Sequence, residues 1–124
     1  MAKTVAWIFG VILLVVGVWG FFQNPVLGIF GVNTLHDIVH LVSGLLLIAA
    51  AMAWIGGARL WLIILGVVYA IVAIAGFVVP DLMMSSLNSG MADVWLHALL
   101  AVVFLVVGFM DKGEMAMSAP MGSM

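Results

Sequence analysis

Four apolar runs, each close to the length that crosses a bilayer, occupy most of this chain and decide what it can fold into. A helix needs about 20 predominantly apolar residues to span the hydrocarbon core, and runs of that kind lie at residues 4–22, 35–55, 60–79 and 91–110. With 68% hydrophobic and 6% charged residues, the composition lies outside that of a water-soluble domain. The apolar period is helical, and an isolated strand cannot satisfy its backbone groups in lipid. These features predict an all-α, integral-membrane four-helix bundle over residues 1–110, followed by a flexible cytoplasmic tail over residues 111–124.

The few basic residues set the expected orientation. Lys3, Arg59 and Lys112 fall on one side of a four-span chain, and cytoplasmic loops collect positive charge. Both termini are therefore expected in the cytoplasm, with the chain in the inner (plasma) membrane and the connections at residues 23–34 and 80–90 outside. The first run ends in Trp19-Gly-Phe-Phe-Gln-Asn-Pro25 rather than in a small-x-small cleavage site, so it reads as a retained span. Without cysteine there are no disulfides or thiolate ligands. Without a basic surface there is no nucleic-acid partner. The expected partner is the lipid bilayer, and glycine-bearing helix faces also suit a homo-oligomer.

An internal repeat is visible at an offset of about 56 residues, which lays Gly66 on Gly10, Gly76 on Gly20 and Asp93-x-x-x-His97 on His36-x-x-x-His40. Each half is a two-helix hairpin. Two tandem hairpins with the same orientation would make spans two and four counterparts, with their polar ends at one depth. Asn33 or Thr34 is placed to cap span two, and Asn88 or Ser89 to cap span four.

Those polar ends carry the candidate chemistry. Ionisable groups in or beside hydrocarbon usually mark a site or an interhelical network, and residues four apart share a helix face. His36, His40, Asp93 and His97 are therefore expected to converge near the outer boundary, with Asn33, Asp37 and Trp95 in support. Asp37 is rotated about 100° from His36 and is expected to face water or a neighbouring helix.

The preferred reading is a hydrogen-bonded clamp in which Asp93 orients an imidazole and the histidines tie spans two and four together. Next comes a divalent metal site for zinc or another divalent ion, because imidazoles on successive turns can ligate one ion and a facing carboxylate and imidazole would complete the set. Haem held by His40 and His97 follows, set back by close-packing residues that leave no wide slot. Proton or solute transport comes last, since Tyr69 alone continues the polar layer inward. Met83, Met84 and Met91, and Met115, Met117, Met121 and Met124 in the tail, read as flexible hydrophobes rather than copper ligands. No phosphate loop, activated nucleophile or close acidic pair points to an enzyme. The leading function is a non-enzymatic multi-pass membrane protein whose cluster organises the bundle; the alternative is a haem- or metal-dependent redox or transport component.

The segments Leu35-His-Asp-Ile-Val-His-Leu41 and Ala92-Asp-Val-Trp-Leu-His97 resemble the two motifs of the domain of unknown function 4383 family, small four-span bacterial membrane proteins. Its motifs have the forms Leu-His-Asn-Leu-Val-His-Leu and Ala-Asp-Asn-Trp-Leu-His. The resemblance runs over essentially the whole chain. This chain carries Asp37 and Val94 where the family pattern has Asn, while the three histidines, Asp93 and Trp95 stay in place. The resemblance implies a fold and no activity.

Overall fold

The computed structural model describes residues 1–111; the expectations for the tail from residue 112 onward and its methionines lie outside the described residues. Five helices follow in order: α1 (Ala2–Gly20), α2 (Thr34–Ala51), α3 (Ala58–Val78), α4 (Pro80–Leu87) and α5 (Met91–Met110). Four of them, α1, α2, α3 and α5, are long and apolar enough to cross a membrane. The chain is an all-α membrane bundle.

Two hairpins build it. Helix α1 packs most extensively against α2, and α3 against α5. Both pairs approach closely because glycine removes the side chain at the crossing. A Cβ added at Gly44 would lie 2.7 Å from the Gly10 carbonyl oxygen and 2.8 Å from the Leu14 nitrogen of α1. In the second hairpin, a Cβ on Gly66 would lie 2.8 Å from Leu105, and one on Gly108 would lie 2.7 Å from Ile63. Large apolar side chains that do not enter these seams, such as Val15, Ile71, Ile74, Leu99 and Val102, are exposed around the outside. In lipid that is their favourable environment.

The interior is an apolar column. Leu13, Leu47, Leu62, Leu100 and Phe104 are buried, and Phe104 makes edge contacts with Phe9 at 5.4 Å and Tyr69 at 6.0 Å between ring centroids. At one end the start of α1 meets the end of α5, where Asp111 Oδ2 accepts from the Ala2 N–H and lies 3.4 Å from the N-terminal ammonium. The two ends of the described chain therefore share one end of the bundle. The starts of α2 and α5 occupy the other.

One element departs from the sequence expectation. Residues 80–87, expected as part of an outer connection, form the short helix α4. Proline stands at its first turn, where a missing N–H costs nothing, and Asp81 lies in the same turn, favourable to the helix dipole. Asn88 ends it in the left-handed conformation, φ 52°, an ending asparagine tolerates.

Candidate functional site

At the end of the bundle opposite the chain ends, α2 and α5 bring three imidazoles together. Asn33 caps α2, its side chain accepting from the His36 N–H at 2.8 Å, and this starts the helix so that His36 falls in its first turn. His40 lies one turn deeper on the same face. His97 comes from the second turn of α5. All three are at least 97% buried, and ring centroids are 4.5 Å apart for His36 and His40, 5.4 Å for His36 and His97, and 6.2 Å for His40 and His97. One ring nitrogen from each lies within 4.8 Å of the other two.

The hydrogen bonding around them is unequal. His36 Nδ1 lies 3.0 Å from the Leu87 carbonyl oxygen. A carbonyl only accepts, so Nδ1 carries the proton and a neutral ring presents a bare lone pair at Nε2. That Nε2, together with Nδ1 of His40 and Nδ1 of His97, is buried without a hydrogen-bond partner. Buried polar atoms in folded chains nearly always have partners. Three orphaned imidazole nitrogens in one cluster therefore require an explanation.

Tyr69 forms the floor. Its ring lies 5.6 Å from that of His97, and its hydroxyl donates to Ser43 Oγ at 3.1 Å, a buried bond between α3 and α2. The roof is α4 and the turn after it. Asn33 Nδ2 donates to the Ser86 carbonyl at 3.0 Å, His36 to that of Leu87, and Asn88 Nδ2 to that of Val32 at 3.0 Å. The roof was hidden from the sequence reading, although Pro80, Asp81 and Asn88 together are the start and stop signals of a short helix.

Asp93 is handled differently from the expectation. It is 2% exposed, but Oδ2 accepts from the Gly90 N–H at 3.2 Å, so the carboxylate caps its own helix. The three-histidine group does not include it, and among the described residues no imidazole pairs with a carboxylate. The cap of α5 is Gly90, not Asn88 or Ser89; Asn88 is spent on ending α4 and Ser89 is buried with its hydroxyl unpartnered. Asp37 faces a neighbouring helix. It is 2% exposed, packed so closely on Gly20 of α1 that a Cβ there would run into its Oδ1. Trp95 is not at the site: it is 63% exposed and meets Phe77 edge-on at 5.2 Å.

The cluster geometry weakens the haem alternative. His36 sits 4.5 Å from His40 and 5.4 Å from His97, on the ground a macrocycle between those two would need. A small ion makes no such demand.

No curated protein and no solved structure matches the sequence. A family model does match, that of the domain of unknown function DUF4383, over residues 3–110. The chain belongs to the DUF4383 family.

Proposed function

We propose that this protein is a membrane-embedded metal-binding protein in which His36, His40 and His97 hold one divalent cation, zinc for preference, and the ion joins α2 to α5. The observation that carries the reading is the convergence of three buried imidazoles, one ring nitrogen from each lying within 4.8 Å of the other two, in a cluster where each ring also has a buried nitrogen without a partner. Imidazole is a favoured zinc ligand, bound at about 2.0–2.1 Å. Ligands around one tetrahedral ion stand closer than the 4.8 Å limit of this group, so the rings close inward by small rotations on binding. The Leu87 carbonyl would hold His36 in the tautomer that offers Nε2, as partners of metal-bound histidines do.

In the clamp expected from sequence Asp93 orients an imidazole; its Oδ2 instead accepts from the Gly90 N–H at 3.2 Å, which favours the ion as the link between the helices. Three protein ligands leave a fourth position for water or another ligand. The reading is one of binding, and no catalytic step is assigned to the site. In the cell the protein is read as an inner-membrane protein with both termini cytoplasmic and the site on the outer side, supported by the placement of Lys3, Arg59 and Lys112.

Metal analysis of gently purified protein tests the reading, followed by zinc titration of the stripped chain. About one zinc per chain is expected. Alanine at His36, His40 or His97 should weaken binding more than about a hundredfold, beyond the effect of losing an outer partner, whereas Asp93→Asn should leave zinc bound and lower only stability. Zinc retained by the triple alanine variant, or no zinc at any concentration, refutes it.

A further inference from the structure

Between α1 and α5 lies a mostly enclosed cavity of about 190 Å³ whose wall is almost entirely apolar. Each of these helices is held closely by its own hairpin partner and makes few contacts with the other. The gap so left is closed above by Phe30 and Val32 of the connection after α1 and on the far side by Leu96 of α5. His40 and Asp93 also reach the wall, but both are buried and present almost no polar surface to it. Water finds no partners in such a space, and an apolar cavity of comparable size, about 150 Å³, stays dry and takes up apolar molecules. The occupant that suits it is a hydrocarbon.

The shape of the cavity and its mouth narrow the choice of hydrocarbon. Ile12, Val16 and Trp19 line it at i, i+4 and i+7, positions that share one face of α1. It is therefore a slot that follows the helix for about 10 Å at 1.5 Å per residue. Ile12 stands near the middle of α1 and Trp19 at its end, so the slot runs from the boundary level, where tryptophan collects, to the middle of the membrane. Ile12 and Trp19 are exposed on the outside of the bundle, and the slot opens to lipid between them. A lipid chain from the leaflet on the histidine side runs in that direction and to that depth, with its headgroup left at the surface. We infer that the slot is a binding site for one acyl chain of a phospholipid from that leaflet, seated between α1 and α5. The bilayer holds such chains at the mouth of the slot at high effective concentration. The site needs no polar group of the ligand and is independent of what the histidines hold.

The test is native mass spectrometry of the full chain, purified in mild detergent and supplied with dioleoylphosphatidylcholine. One phospholipid per chain should be retained after detergent has stripped the others. Val16→Trp fills the slot and should weaken retention by about tenfold or more, while Val15→Trp, on the exposed outside of α1, should leave it unchanged. Dihexanoylphosphatidylcholine carries the same headgroup on chains too short to fill the slot. It should be held about tenfold or more weakly, because each CH₂ missing from the slot removes buried apolar surface. Undiminished retention by Val16→Trp overturns the inference, as does equal retention of the two lipids, which would assign binding to the headgroup. A retained mass belonging to an apolar compound other than a lipid, or no retained lipid at all, overturns it too. If Val16→Trp does not fold, the comparison of the two lipids on the unaltered chain still decides.

Discussion

His36 and His40 show how far residue spacing alone can be read. Four-residue spacing puts them on one face whatever surrounds the helix, and α5 brings His97 to the same end of the bundle. Asp93 marks where spacing stops informing: at the third position of a helix a carboxylate can reach across to a neighbour or turn back to its own cap, and spacing does not distinguish the two. Here it turns back to Gly90. Asn33 has the clearest residue-scale consequence, since it caps α2 with one end of its amide and holds Ser86 of the roof with the other. Asn33→Ala should lower stability by about 1–2 kcal/mol, read from unfolding in mixed detergent, and should weaken zinc binding because His36 loses its fixed position. Tyr69→Phe removes only the bond to Ser43 and should cost less, about 0.6 kcal/mol.

At the scale of elements, the long helices were legible because a membrane span needs length and apolarity, and both are visible without tertiary context. Helix α4 was not, since eight residues of mixed polarity carry little periodic signal and only its ends are marked. Its place is fixed by hydrogen bonds to His36 of α2 and to Val32 and Asn33 just before it, all more than 50 positions away in sequence. The hairpin seams lie between these cases. Gly10 faces Ile48 across the first and Gly66 faces Leu105 across the second, while Gly20 faces Asp37 and Gly76 faces Val94. We propose that this recurrence, at an offset of about 56 residues, reflects a tandem hairpin repeat. Gly44→Leu should force α1 and α2 apart against backbone atoms of Gly10 and Leu14. A loss of about 3 kcal/mol is expected, at the upper end of ordinary overpacking, and a second-site change of Leu14 to Ala should not restore it, because the clash is with the main chain.

For the whole molecule, the bundle has a polar end and an apolar shaft. The three histidines, Asp37, Ser89 and Asp93 are buried at the starts of α2 and α5, while the middle is closed by leucines and by Phe104. Such an arrangement suits holding something at one end rather than passing it through. The proposed topology is open to direct test because the chain has no cysteine. Single cysteines at Leu27 and Ser85, both exposed, should react with an impermeant thiol reagent in intact cells, and one at Trp54, exposed in the α2–α3 connection, should react only after permeabilisation. The reverse pattern would invert the orientation and place the histidines on the cytoplasmic side.

Bound zinc should also leave on acidification, because protons and metal compete for the same imidazole nitrogens. Zinc K-edge absorption of the metal-loaded protein measures the proposed centre most directly. A first shell of three imidazole nitrogens at about 2.0–2.1 Å with one further light atom is the expected result, reduced by one imidazole in His97→Ala. A shell built only of oxygen, or an imidazole count unaffected by any of the three substitutions, would contradict it.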